Sequence, residues 1–335
     1  MTAPSLAYIP LHVRSCYSIN DGLQNVGPIV KRAQKLGFPA IAVTDFNNMA
    51  GFVRFYSACK SAGIKPIMGA DIQIREKVKP GESERLFSLT LLAMDRKGKQ
   101  NLYDILSVAW VDTANPDIDR VAANLEDLAK YSEGLIVLDG FRGDIAYFLH
   151  NEDHKKLNER IEFYKKYFPD RFCFEITRTH REGEGEFETK ALDLCLEHGF
   201  YPVATNDTRF LSGPEDLPED GLSDYYVHDI RVSIQKSIQK GSKELARIYS
   251  EEQFLRSPEQ MEELFKDLPE ALANSRAIAE RCNVEIELDH PRLPHYDTGE
   301  MSTADYLRKA SYEGLEKRLE FLYPDPKDRE EKRPI

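Results

Sequence analysis

Residues of the types that bind cations or move protons recur where short apolar runs stop. His12 lies at the end of the run Tyr8 to Val13, and Asp21 follows nine residues on. Asp45 follows Ala40 to Val43, Asp71 lies on Ile67 to Ile74, and Asp207 follows Pro202 to Thr205. Carboxylates and an imidazole brought from separate strand ends into one cleft suit hard or borderline divalent ions that bridge a phosphate. Each residue also has an ordinary role open to it. An aspartate at a strand end caps the helix that follows, and a histidine on its own serves as a hydrogen-bonded structural residue. The succession of separate strand ends points to a cleft; no single residue does. His150, His154, His198, His290 and His295 show no ligand spacing. His180 and the glycines of the EGEG run are expected in a solvated loop, since no strand feeds a helix there.

The elements that must position these groups alternate in type. Tyr8 to Val13 reads as a strand. Pro28 opens a helix carrying Ile29, Val30, Ala33 and Leu36, which Gly37 closes. Strand Ala40 to Val43, helix Val53 to Ala62 with Gly63 as its stop, and strand Ile67 to Ile74 come next. Further strands are expected at Leu86 to Ala93, Leu135 to Leu138, Phe172 to Thr177 and Pro202 to Thr205, with a helix over Asp193 to Glu197. Alternation of this kind predicts parallel strands with right-handed crossovers, and so many βα units favour a barrel, in which functional groups collect at strand ends. Beyond Phe210 the pattern changes. Ser212 to Ser223 reads as an exposed loop. Ser257, Pro258 and Gln260 start one helix with a capping box, and Pro269 starts another that runs to about Cys282. Asp289 to Gly299 reads as a linker, and Ser302 caps a helix with an apolar stripe. The polar ending KDREEKRPI reads as a cut inside a longer chain.

The 335 residues suffice for one large domain and an appendage. The formal net charge of -12 argues against a main nucleic-acid grip, which needs clustered Lys and Arg. Cys16, Cys59, Cys173, Cys195 and Cys282 include no CxxC pair and are odd in number, so a reducing cytoplasm is expected. No run approaches the length of a membrane span, and the start lacks a signal-peptide pattern.

Several stretches are similar to known motifs. LHVRSCYSINDG (Leu11 to Gly22) resembles the opening motif of PHP domains, LHxHSxYSxxDG. AIAVTDFNNMAG (Ala40 to Gly51) resembles their ITDHxNxxG, GIKPIMGADI (Gly63 to Ile72) their IKPIxGxE, and PVATNDTRFL (Pro202 to Leu211) their VATNDxHY. With HDIRVSI (His228 to Ile234) and the later helices, the whole chain resembles the N-terminal part of alpha subunits of bacterial DNA polymerase III.

The resemblance implies a distorted (β/α)7 TIM-like barrel, the PHP fold, followed by C-terminal helices. It places the PHP domain at 1–285 and the start of the polymerase palm at 286–335. Intact PHP domains hold up to three metal ions, and some act as phosphoesterases or exonucleases. Here His12, Asp21 and Asp207 keep ligand types, and Asp71 stands in for a glutamate. Arg14, Phe46 and Arg209 stand where histidines belong, and Ser88, Phe141 and Thr179 replace His, Cys and His. Arginine is always protonated and accepts nothing, so it cannot ligate a cation. Arg14 and Arg209 are therefore expected to act as counterions for Asp21, Asp71 and Asp207. The implied function is that of a catalytically silent PHP domain, giving structural support and docking the proofreading exonuclease (epsilon) subunit. The alternative is an active metal-dependent phosphoesterase, a pyrophosphatase or 3′–5′ exonuclease. No cofactor is expected in this chain, whereas the full-length polymerase would use Mg²⁺ and contact DNA and the other holoenzyme subunits. No membrane partner is expected.

Overall fold

The structure, a computed structural model, describes residues 8–19, 21–76, 85–112, 121–216, 222–239, 242, 245, 247–288 and 296–332. Part of the expected linker Asp289 to Gly299 and part of the loop Ser212 to Ser223 lie outside the described residues.

The chain begins with an extended segment, residues 8–14, and a helical turn Cys16–Ser18. Then come α1 (Val26–Lys35), β1 (Ala40–Phe46), α2 (Phe52–Ala62), β2 (Lys65–Glu76), β3 (Arg85–Ala93), α3 (Arg96–Asp112), β4 (Ala123–Asn124), α4 (Leu125–Lys130) and β5 (Leu135–Asp139). They are followed by α5 (Asp144–His150), α6 (His154–Tyr167), β6 (Phe172–Ile176), α7 (Glu184–His198) and β7 (Tyr201–Ala204). The helices α8 (Asp224–Lys236), α9 (Pro258–Leu264) and α10 (Pro269–Arg281) complete the first compact unit, Met1–Ile286. The second unit, Glu287–Ile335, holds α11 (Thr303–Leu322) and α12 (Pro326–Lys332). In α11, Leu319 is buried while Leu307, Leu315 and Leu322 are exposed. No helix among the described residues is long and apolar enough to cross a membrane.

The sheet runs β1-β2-β3-β5-β6-β7, with β4 beside β2. Its ends are joined by the N-terminal segment. Ala42 N and Thr44 N of β1 donate to Pro10 O and Val13 O, each at 2.8 Å. On the other side Arg14 N donates to Thr208 O at 2.9 Å, and Thr208 N to His12 O at 3.0 Å. The result is a curled sheet closed into a distorted TIM-like barrel. Residues 8–13 make only an isolated bridge instead of the expected regular strand. Pro10, which has no N–H, cannot extend a ladder.

One strand departs from the parallel expectation: β3 is antiparallel to both β2 and β5. The span 77–84 is too short for a crossover, which needs about a dozen residues or more. The EGEG run also departs from its expected loop, since Glu184 opens α7 and Gly185 lies inside it.

Side-chain alternation along the strands sorts two cores. Ala40, Ala42, Ile67, Leu92, Ile136, Leu138, Cys173 and Val203 fill the barrel interior, with Ile278 and Cys282 at the end of α10 packed against them. Ile41, Val43, Met68, Leu91, Val137 and Phe174 point outward under the helices. Continuing the inward set carries Asp71, Ser88, Thr90, Glu175 and Thr205 into the barrel mouth.

Candidate functional site

His12, Asp71, Glu175, Asp207, Arg181 and Arg209 line one small cavity of about 20 Å³ at this mouth, room for about one water molecule. Arg14 lies beside it, 1% exposed, with Arg209 at 0%. Arg14 forms ion pairs with both Asp21 and Asp71. Its guanidinium also stacks on the Phe46 ring, 4.9 Å from the centroid. Two of the positions at which the resemblance implies histidine thus touch each other, cation over aromatic face. Arg209 bridges Asp21 at 2.7 Å and Asp207 at 2.6 Å. Arg181 adds a third guanidinium, 2.8 Å from Asp207, and also pairs with Glu184 at 2.7 Å. Gln253 Nε2 donates to Asp207 Oδ2 at 2.9 Å.

His12 is held from the opposite wall. Its Nδ1 lies 2.7 Å from Glu175 Oε1, which also accepts from the Thr205 hydroxyl at 2.5 Å. Its Nε2 faces Asp207 at 3.3 Å and Asp71 at 3.5 Å. Asp207 has a φ of 42°, in the left-handed region that aspartate tolerates better than most residues.

Burial on its own would raise the pKa of Asp207. Arg209, with His12, Arg181 and Arg14, overrides it and holds the carboxyl well below the usual range. Burial, then Arg209 and Arg142, lowers the pKa of Arg14. Contact with two carboxylates keeps that guanidinium charged.

Divalent ions of the kind held by an intact PHP cleft do not fit this donor set. Guanidinium nitrogens fill the space between Asp21, Asp71 and Asp207, and they repel a cation. Among the described residues no three His, Cys, Asp or Glu side chains are set to hold one ion.

The structure brings together His12, Asp21, Asp71 and Asp207, with Arg14, Phe46 and Arg209 among them. Asp45 is the exception and corrects the expectation that it joins the cleft. It shares the outward parity of Ile41 and Val43, and its carboxylate accepts from Ser15 N, Ser15 Oγ and Ser18 Oγ, each at 2.7 Å. It pins the turn that presents Arg14. Ser88 Oγ accepts from Arg142 at 3.1 Å, Phe141 lies beneath Arg181, and Thr179 bonds Glu184. Sequence reading missed Glu175, Arg181 and Arg142. Glu175 had a signal, a single acid two residues after Cys173 in a five-residue apolar strand. Arg142 and Arg181 lie in loops and had none.

Behind the cleft, His228 of α8 is fully buried between the rings of Phe210 and Tyr249, with centroids 5.7 and 5.0 Å away. Neither ring nitrogen makes a hydrogen bond among the described residues. Burial, then Arg209, Arg231 and Arg14, pushes its pKa down to about 3, against a weaker pull from Asp207. Below the ordinary histidine pKa the unfolded chain takes a proton that the folded chain refuses, so stability falls as pH drops from about 6.5 towards 3. Going from pH 7 to 5 is expected to cost the wild type on the order of 2 kcal/mol through this group. Urea unfolding at both pH values should show a smaller loss in His228→Phe; an equal loss would refute the assignment.

Residues 10–179 match the family model described as PHP domain. The chain is 43% identical over 331 residues to DNA polymerase III subunit alpha of Escherichia coli (strain K12), covering 98% of this chain and 27% of the relative. It is 39% identical over 331 residues to the subunit of the same name from Vibrio cholerae, again covering 98% and 27%. A solved amidohydrolase structure from Chromobacterium violaceum is 16% identical, with a TM-score of 0.40, covering 67% of this chain and 96% of that one. The chain thus spans about a quarter of the length of the curated relatives it matches, and it belongs to the PHP domain family.

Proposed function

We propose that this chain serves as the PHP part of a replicative DNA polymerase alpha subunit, acting in the cytoplasm, and that its cleft is structural. The observation that carries the reading is the placement of Arg14 and Arg209 between Asp21, Asp71 and Asp207. Fixed guanidiniums take the part that metal cations play in an intact PHP cleft. They hold the acids together without supplying a Lewis acid or a bound water. His12, Asp21, Asp71 and Asp207 are then relict ligands, and the barrel is a rigid support. Residues 1–285 form this domain, and 286–335 begin the palm. The proofreading exonuclease (epsilon) subunit docks on the domain. In the full-length protein, Mg²⁺-dependent nucleotidyl transfer belongs to the palm, with DNA and the other holoenzyme subunits as partners.

The test is turnover of pyrophosphate and of a DNA 3′ end with added Mn²⁺ or Zn²⁺. The expected result is no metal-dependent hydrolysis, and the same trace from Asp207→Asn. Turnover that appears with metal and vanishes in that variant would restore the phosphoesterase reading. Co-elution of the chain with the exonuclease subunit tests the docking, and independent elution of the two would remove it.

A further inference from the structure

On the outer face of the sheet a second set of charged side chains is buried, under α5 and α6. Asp139 ends β5 with the outward parity of Val137. It is fully buried, and neither carboxylate oxygen makes a hydrogen bond among the described residues. Asp144, also fully buried, stands near it at the start of α5. The cations of this set are already paired. Arg160 of α6 binds Asp144 at 2.8 Å and also Glu76, and Lys156 binds Glu76 at 2.6 Å. The Tyr164 hydroxyl donates to both oxygens of Asp144, at 3.0 and 3.1 Å. Two cations thus meet two acids, and Asp139 is a third acid with no counterion in contact. A buried carboxylate in that position is costly, so the group keeps its proton. Burial and then Asp144 raise its pKa well above the usual carboxylate range, with a smaller push from Glu175 of β6. The Ile145 N–H and Arg160 pull the other way without reaching bonding geometry.

The Asp139 carboxyl rests on the turn that follows its strand. A Cβ at Gly143 would lie 1.4 Å from Asp139 Oδ1. Gly143 N closes this turn by donating to Gly140 O at 2.8 Å, and Ser88 N ties it to β3 by donating to Arg142 O at 3.0 Å. Its Phe141 and Arg142 form one wall of the barrel mouth. We propose that Asp139 is a proton latch on this turn, holding residues 140–143 in place while protonated and displacing them when it ionises. When the proton leaves to solvent, the new carboxylate faces Asp144, which Arg160 and Tyr164 keep fixed. The turn is the side that yields, and it carries Phe141 and Arg142 out of the wall as pH rises. No group facing Asp139 offsets the new charge: Asp144 and Glu175 are acids, Tyr164 is a neutral phenol, and Arg160 is held by two other carboxylates. Above about pH 4 the unfolded chain has released this proton and the folded chain retains it. Stability through Asp139 therefore falls as pH rises, the reverse of the His228 effect. The latch is independent of whether the cleft hydrolyses anything.

The test follows the 335-residue chain, with carbon-13 in its aspartate carboxyls and backbone carbonyls, from about pH 5 to about pH 10. The expected result is one carboxyl signal, absent from Asp139→Asn, that titrates well above the exposed aspartates. The carbonyl signals of residues 140–143 should move with it in the wild type and stay still in the variant. Between about pH 5 and about pH 8 the melting midpoint of Asp139→Asn should rise relative to the wild type by about 4 °C. His228 acts equally in both chains and drops out of that difference. Asp139→Ser supplies the assignment and the comparison if Asp139→Asn fails to fold. The proposal is overturned if the carboxyl titrates with the exposed aspartates or stays protonated throughout. It is equally overturned if residues 140–143 do not follow the titration, or if the gap in melting midpoint does not widen.

Discussion

Replacing Arg209 by methionine is expected to lower the unfolding free energy by roughly 3–5 kcal/mol, the usual effect of breaking a buried ion pair from one side. The side chain is fully buried and bridges Asp21 and Asp207. Its removal leaves both carboxylates facing Arg14 and Arg181 alone, with part of their charge uncompensated. The rescue discriminates charge from packing. Adding Asp21→Asn and Asp207→Asn to Arg209→Met should recover a large share of the loss, because neutral amides need no counterion. Urea unfolding of the single, double and triple variants checks this. If the triple variant is less stable than Arg209→Met alone, the guanidinium is not the charge that holds the acids together.

Gly22→Ala is the second large effect. A Cβ at Gly22 would lie 2.1 Å from Ser15 O and 3.2 Å from the Arg14 carbonyl carbon, both backbone atoms. Cys16 N donates to Gln24 O and Leu23 N to Arg209 O, so the loop that delivers Asp21 is tied on both sides and cannot swing away. Forced overpacking of this kind costs about 3 kcal/mol, and it should part Asp21 from Arg14 and Arg209. Gly27→Ala is the control. Nothing lies within 4 Å of its added Cβ, and the site is inside α1, so alanine should be neutral or stabilising by up to about 1 kcal/mol. Thermal unfolding of the two variants side by side decides it, and equal midpoints would show that the close approach at Gly22 is not rigid.

The barrel was legible because its strands are short apolar runs bounded by glycines, prolines and acids, and the helices between them carry clear stops. Gly37 and Gly63 do sit in left-handed conformations where α1 and α2 end. The direction of β3 was not legible from pattern, because an apolar run reads the same both ways. Only the shortness of 77–84 carried that information. Within the site, parity was the neglected signal. Counting in twos from Ala40 and Ala42 turns Asp45 outward, and counting from Cys173 turns Glu175 inward. A search confined to residues just past strand ends gains the first and loses the second. The contacts of Arg181 and Arg142 depend on where loops fold in space, and no local pattern encodes that.

Closure of the barrel by residues 10–14 ties the order of synthesis to the order of folding. These residues leave the ribosome before the strands they join, and one set of their hydrogen-bond partners, around Thr208, emerges some two hundred residues later. Until then the border of residues 12–14 that faces away from β1 has no neighbour, and the acids and arginines of the mouth cannot all meet. Pairings so distant along the chain are slow to form, and unpaired sheet borders invite wrong partners. The nascent chain therefore has its most vulnerable interval between the appearance of β1 and the arrival of Thr208, and chaperone engagement during translation should be concentrated there.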